Sequence, residues 1–208
     1  MKFLFDSVKE FSKKDFEKNR ELFKRLSTVQ RPHTLFIGCS DSRVVPDLIT
    51  KSLPGDLFVV RNIANVVPYY RSSSEYLSTT SAIEYALMIL NVENIIVCGH
   101  SNCGGCQALF LDEAALKRIP HTAKWLELVK DAKAKAESIT KGVSDGSDLG
   151  WLVEQENIIE QMNHLLTYPM VEERRAEGKL NIYGWYYDIG TGAVYNYDRK
   201  NKIFEKIE

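Results

Sequence analysis

The residues of this chain that could do chemistry fall into two groups. One closes the stretch Asn94-Ile95-Ile96-Val97-Cys98-Gly99-His100-Ser101-Asn102-Cys103-Gly104-Gly105, an apolar run that ends at glycine and delivers His100 and Cys103 three positions apart. An imidazole and a thiolate so spaced can hold one metal ion between them, and the glycines let the backbone turn tightly beside it. A second apolar run, Leu35-Phe36-Ile37-Gly38, releases Cys39, Asp41 and Arg43. The pattern predicts that these two strand ends meet around zinc, with Cys39, His100 and Cys103 as ligands. Cys39 lies far upstream of His100, so the fold closes the site, unlike finger-type sites whose ligands come in short local pairs.

Two thiolates and a neutral imidazole on a divalent ion give a unit of formal charge zero, and a helix opening beside Cys103 helps keep that thiol ionised. What fills the fourth position decides the function. Asp41 can occupy it with a carboxylate oxygen, closing the tetrahedron. Arg43 can instead hold Asp41 in a charge-assisted pair and leave the position to water. That second arrangement makes an enzyme: zinc lowers the pKa of bound water toward neutrality, and Asp41 can accept a hydrogen bond from the resulting hydroxide and aim its lone pair.

Competing readings use the same residues. Cys103-Gly104-Gly105-Cys106 is also a C-x-x-C, either a redox pair or, with Cys106 as fourth ligand, an inert structural zinc site. That reading leaves Asp41 and Arg43 without a task in the crevice. Elsewhere such a pair would be a plain ion pair bracing a loop. Cys98 and Cys106 read as small buried hydrophobes. His33, His121 and His164 read as surface or satisfied histidines.

The elements that must position these residues follow from pattern and composition. Residues 3 to 30 carry Phe5, Val8, Phe11, Phe16, Leu22, Phe23 and Leu26 among many charges, which suggests two amphipathic helices whose apolar face packs either on their own domain or, since they precede the first core strand, as an arm across a partner subunit. Strands are expected at about Thr34 to Cys39, at Asp56 to Asn62 after Pro54-Gly55, and from Asn94. A helix is expected from Ser72 to Leu90 with Ser72 to Ser74 as caps, then helices from Gly104 or Gly105 toward Lys117, around Trp125 to Val129, and from Trp151 to Tyr168, stopped by Pro169. Lys141 to Asp148 reads as a loop. Leu180 to Asp188 and Ala193 to Tyr197 read as a hairpin, and Arg199-Lys200-Asn201-Lys202 as a solvated end. Strand, helix and strand in alternation imply an α/β fold with a mainly parallel central sheet flanked by helices. Strand ends of such a sheet open into the crevice where sites lie.

The 208 residues suffice for one domain, expected as an arm over 1–30 and a zinc-binding core over 31–208. Hydrophobic residues at 44% and charged residues at 26% describe an ordinary globular protein, and a net charge of −1 removes the electrostatic reason to expect nucleic acid. The start breaks after three apolar residues, and no run approaches a bilayer's thickness, so no membrane and a cytoplasmic location are expected.

Cys-Ser-Asp-Ser-Arg at 39 to 43, His-Ser-Asn-Cys-Gly-Gly at 100 to 105, Phe58-Val59-Val60-Arg61-Asn62-Ile63-Ala64-Asn65 between them and Gly184-Trp185-Tyr186-Tyr187-Asp188 near the end resemble the beta-class carbonic anhydrases over nearly the whole chain. The resemblance implies a zinc lyase that hydrates carbon dioxide reversibly to bicarbonate and a proton, by attack of zinc-bound hydroxide. It implies one zinc per subunit on Cys39, His100 and Cys103, and a catalytic dyad of Asp41 and Arg43. It also implies a narrow substrate pocket from Gln30, Phe58, Ile63, Tyr85 and the backbone of Gly104, built across the interface of a homodimer or a dimer of dimers. Ile63, where valine is frequent, should narrow the slot slightly. One branch of the family binds inhibitory bicarbonate with a tryptophan, an arginine and a tyrosine. Arg61 and Tyr187 match, but Phe36 stands at the tryptophan position and has no N–H to donate, so that site is not expected. Two alternatives keep the zinc: hydrolysis of carbon disulfide or similar cumulated molecules, and a non-catalytic zinc module.

Overall fold

A computed structural model of the chain describes residues 1–72, 75, 77–141 and 149–208. Three short helices come first, α1 (Lys2–Lys13), α2 (Asp15–Lys18) and α3 (Arg20–Leu26). They are followed by β1 (Thr34–Cys39), α4 (Pro46–Thr50), β2 (Leu57–Asn62), α5 (Ser78–Met88) and β3 (Asn94–His100). A helical excursion then comprises α6 (Gly104–Gln107), α7 (Glu113–Lys117), α8 (Pro120–Trp125), α9 (Lys130–Thr140), α10 (Leu149–Leu165) and α11 (Pro169–Ala176). The chain closes on β4 (Asn181–Tyr187), β5 (Val194–Asp198) and β6 (Ile203–Lys206).

Among the described residues the strands form one sheet in the order β2-β1-β3-β4-β5-β6. The first four run parallel, and β5 and β6 are added antiparallel. β1 is buried along its whole length, as an uninterrupted apolar run requires of a central strand covered on both faces. On one face Leu35, Ile37, Ile95 and Val97 share a core with Ile83 and Leu87 of α5 and Ile158, Met162 and Leu165 of α10. Two glycines let α10 lie this close. A Cβ on Gly99 would stand 2.7 Å from Ile158 Cγ1, and one on Gly184 2.9 Å from Ile158 Cγ2.

The opposite face carries a smaller cluster of Phe36, Ile96 and Cys98 with Trp185 and Tyr187. On this face Val59 and Tyr183 remain more than a third exposed. The helices α1, α2 and α3 bury none of their residues, and Phe3, Leu4, Phe5 and Val8 are each more than half exposed.

The mainly parallel sheet and the terminal hairpin stand where the sequence places them. Other boundaries differ. The arm holds three helices, and the helix expected from Ser72 begins at Ser78, with Leu77 as its extended cap. Ser73, Ser74, Tyr76 and most of the expected loop 141–148 lie outside the described residues. The helix expected from Gly104 to Lys117 breaks into α6, a 3-10 turn over Ala108–Phe110, and α7. The helix expected to stop before Pro169 does so, running Leu149–Leu165, and Pro169 in addition opens α11 at its first turn, where a missing N–H costs nothing. The run Arg199 to Lys202 is a turn, with the Asp198 carboxylate accepting from Lys200 N and Asn201 Nδ2, and it feeds the edge strand β6. Four residues of mixed polarity give too little period-2 signal to announce that strand.

Candidate metal centre

β1 and β3 are parallel neighbours in a register that pairs Gly38 with Cys98, so Cys39 and His100 leave the same, carboxyl end of the sheet. Asn102 takes a left-handed conformation (φ 55°) and turns the chain so that Cys103 comes back toward them. The metal-binding atoms of Cys39, His100 and Cys103 lie within 4.8 Å of one another, and the two sulfurs are 3.9 Å apart. All three side chains are buried.

The imidazole shows which atom faces the centre. His100 Nδ1 lies 3.0 Å from the Ser101 carbonyl oxygen, to which it donates, and this places the lone pair on Nε2. Nε2 is buried and has no hydrogen-bond partner among the described residues. Buried polar atoms are rarely left so, and a cation held by two sulfurs and this nitrogen satisfies it with the usual second-shell carbonyl behind the ring. The donor set therefore fits zinc.

The neighbouring Cys103 thiol and then burial push Cys39 up to about 12. Contact with Cys106, and then burial, pushes Cys103 up to about 12. A metal ion bound by these sulfurs would displace their protons. Cys106 falls outside the group of three and receives Asn157 Nδ2 at 3.9 Å, while Cys98 is fully buried and raised to about 12 by burial. These two are packing residues.

Asp41 stands at the edge of the group, its Oδ2 3.9 Å from His100 Nε2. Arg43 donates to it twice from the side chain, Nε to Oδ1 at 2.9 Å and Nη2 to Oδ2 at 2.7 Å, and once from its backbone N–H to Oδ1 at 3.0 Å. This bidentate fork holds the carboxyl well below the usual carboxylate range. Arg43 Nη2 also donates to the Asn102 carbonyl, tying the β1 loop to the β3 loop. Arg61 braces the same loop from β2, giving Nε to Cys39 O at 3.0 Å and Nη2 to Asp41 O at 2.6 Å.

The residues expected to line the substrate pocket divide between two places. Ile63 follows β2 at the carboxyl end, is 40% exposed, and has its carbonyl held by Trp125 Nε1 at 2.9 Å. Gly104 opens α6 directly after Cys103, with open space where a Cβ would be. Phe58 pairs with Leu35, near the amino end, and its ring lies 6.0 Å from that of Tyr85, which is 45% exposed. Gln30 precedes β1 and lines a surface hollow with His33 and Ile89. Within one chain Gln30, Phe58 and Tyr85 do not reach Cys39. Leu35, the partner of Phe58, stands four residues before Cys39 along β1, about 13 Å at ~3.3 Å per residue, and Gln30 lies before the start of the strand.

Sequence reasoning missed Glu154. This buried residue on α10 accepts the Cys103 N–H on Oε1 at 2.8 Å and the Tyr186 hydroxyl on Oε2 at 3.0 Å, and burial raises its pKa. A signal was present: Glu154, Asn157 and Gln161 interrupt the apolar face of that helix at helical spacing. His164 is a satisfied core histidine between the Val67 carbonyl and Glu160.

A parallel sheet whose neighbouring strand ends bring two cysteines and a histidine together, beside an arginine-locked aspartate, defines a class. The family model described as Carbonic anhydrase matches residues 34–194, and the chain belongs to the beta-class carbonic anhydrase family. It is an enzyme, a carbonate dehydratase. Among its relatives, the carbonic anhydrase of Helicobacter pylori is 42% identical over 201 residues, covering 96% of this chain and 91% of that protein. That of Pseudomonas aeruginosa is 39% identical over 207 residues, 100% of this chain and 92% of the other. The solved structure of the beta-carbonic anhydrase CcaA superposes with a TM-score of 0.93 at 37% identity, covering 100% of this chain and 92% of that one. A tetrameric beta-carbonic anhydrase of Sordaria macrospora superposes at 0.80 with 31% identity, covering 93% and 94%.

Proposed function

We propose that this chain holds one zinc ion on Cys39, His100 and Cys103 and uses it to hydrate carbon dioxide reversibly to bicarbonate and a proton. The observation that carries this reading is the buried, unpartnered Nε2 of His100 facing two sulfurs, with an ionised carboxylate 3.9 Å away. Zinc, when bound, is a Lewis acid that acidifies water and so supplies a nucleophile at neutral pH. The protein's residues do the rest. Arg43 occupies both oxygens of Asp41 and keeps it ionised, which makes Asp41 an acceptor that orients a proton-bearing oxygen and not a donor. The same fork supports an Asp41 that stays off the metal and leaves the fourth position to solvent.

The slot for an uncharged, linear substrate takes Ile63 and the Gly104 backbone from one chain. We assign its other wall, Phe58, Tyr85 and Gln30, to a second copy, with Gln30 donating to a bicarbonate oxygen. What supports this is the distance between the two groups within one chain and the exposure of Tyr85 and of the arm. The assembly is then a homodimer or a dimer of dimers of a single domain, residues 31–208, with the arm 1–30 laid across the partner. Among the described residues no helix is long and apolar enough to cross a membrane. We place the protein in the cytoplasm, which keeps its four free, buried cysteines as thiols.

An inhibitory bicarbonate site is not part of this proposal. Phe36 has no N–H and packs edge-on against Trp185 at 6.4 Å, while Arg61 is engaged with backbone carbonyls. Zinc content and initial rates of carbon dioxide hydration, measured on the parent chain and on Cys103→Ser, test the function. The parent is expected to carry one zinc and to turn over, the variant to do neither, and equal rates in the two would end the proposal.

A further inference from the structure

Helix α10 carries a polar stripe in the middle of the core. Glu154, Asn157, Gln161 and His164 are each at most 5% exposed, and their spacing of three, four and three places them on one face. A buried carboxylate is costly unless both oxygens are paired, and those of Glu154 are, by Cys103 N–H and Tyr186 O–H. One turn further on, Asn157 Nδ2 donates to the Ala64 carbonyl at 2.9 Å, and Asn157 Oδ1 accepts from Gln161 Nε2 at 2.9 Å. Gln161 Oε1 in turn accepts the Val67 N–H at 2.8 Å.

Apart from the Tyr186 hydroxyl on β4 and the Leu128 carbonyl, which Gln161 Nε2 reaches at 3.3 Å, these bonds land on two loops. Cys103 belongs to the loop that ends β3. Ala64 and Val67 belong to the loop that carries Ile63, and this loop needs holding, because Ala64 and Asn65 both have positive φ (61° and 48°) without being glycine. The two loops also touch: a Cβ on Gly105 would stand 2.9 Å from Ala64 Cβ. One helix face therefore grips the metal-ligand loop and the substrate-slot loop at points one turn apart.

We propose that Glu154 and Asn157 are positioning residues, Glu154 fixing Cys103 for the metal and Asn157 fixing the strained Ala64–Asn65 turn, so that α10 sets the gap between metal and slot. This rests on the zinc centre proposed above and adds the machinery that holds it. Partners of this kind, one shell beyond a metal ligand, typically change metal affinity by about 10- to 100-fold.

The test uses the zinc-loaded protein. Zinc loss to excess 4-(2-pyridylazo)resorcinol is followed by absorbance, and the visible spectrum of the cobalt-substituted protein reports the ligand geometry independently of turnover. Glu154→Ala is expected to lose zinc about tenfold faster or more and to shift the cobalt bands. Glu154→Gln, which keeps an acceptor oxygen for the Cys103 N–H, should recover most of the parental retention. Asn157→Ala should keep zinc like the parent but lower kcat/KM for carbon dioxide. If Glu154→Ala does not fold, Tyr186→Phe, which removes only the donor to Oε2, should still speed zinc loss. Parental zinc loss with unchanged cobalt bands in the alanine variant, or in Tyr186→Phe where it takes its place, overturns the proposal, as does a glutamine variant as leaky as the alanine one. A parent that binds zinc yet does not hydrate carbon dioxide would refute the proposed function while leaving the zinc-loss comparison readable.

Discussion

The two ends of the central sheet are built in opposite ways. At the carboxyl end the three proposed metal donors are buried and each is fixed from behind: His100 by the Ser101 carbonyl, Cys103 by Glu154, and the Cys39–Asp41 loop by Arg61 and Arg43. At the amino end Gln30 and Tyr85 are exposed, and Phe58 is covered on one side by Tyr85 alone among aromatic rings of the described residues. Binding a cation needs several donors held to a fraction of an ångström, which one chain can arrange with loops converging on adjacent strand ends. Closing an apolar slot needs only a complementary wall, and a second copy of the chain can bring one.

Removing a donor from the finished end gives the largest effect. His100→Ala is expected to weaken zinc binding by more than about 100-fold, beyond the usual loss for a second-shell partner, and to bring carbon dioxide hydration to the buffer background. Retained metal with retained activity would break the contrast outright. Next comes Asp41→Asn, which leaves the three donors in place. Zinc content should be parental while kcat falls about 10²- to 10³-fold, the usual cost of one positioned proton acceptor or electrostatic group.

The open end is sharpened by complementation. Gln30→Ala should keep its zinc and lose about tenfold in kcat/KM, the value of one hydrogen bond to a charged group at ~1.5 kcal/mol. Coexpressed with Cys103→Ser, it should regain part of that loss, because mixed assemblies hold one site with a full donor set facing an intact Gln30. Activities that merely average place Gln30 in its own chain's site and dissolve the comparison.

The smallest effect is expected at the turn after β4. Hydrogen bonds from Thr191, Gly190 and Ser101 hold the Asp188 carboxyl below its ordinary value. A carboxyl lowered on folding contributes stability in full above its unfolded value, near ~4, and loses it as pH falls through the folded one. The group is only partly buried and stays in reach of solvent, so screening keeps the contribution under about 1 kcal/mol. Asp188→Asn should lower the melting temperature slightly at neutral pH and converge with the parent in acid, as thermal unfolding at pH 7 and pH 3 would show.

What could be read before the structure follows the same division. The donors were legible because sulfur and imidazole have few other uses at the ends of apolar strands, and the core strands because β1 and β3 are unbroken apolar runs. The Asp41–Arg43 pair was legible as a pair, since two residues cannot separate far. Glu154 was not, because a polar residue in a helix reads as solvent-facing until the neighbouring loop that fills its hydrogen bonds is known. Pro169 marks the end of the preceding helix, but the short helix it opens was not legible because proline signals a helix start as readily as an end. Gln30 and Tyr85 have no local chemistry that singles them out, so only the family resemblance points to them.

The central claim is a three-donor centre with a corner left for solvent, and zinc K-edge absorption on the loaded protein at pH 8 to 9 tests it most directly. The first shell should contain two sulfurs and two nitrogen or oxygen atoms, one of them exchangeable with added anions such as azide. Three sulfurs, placing Cys106 on the metal, or a shell that no anion alters, would contradict the account.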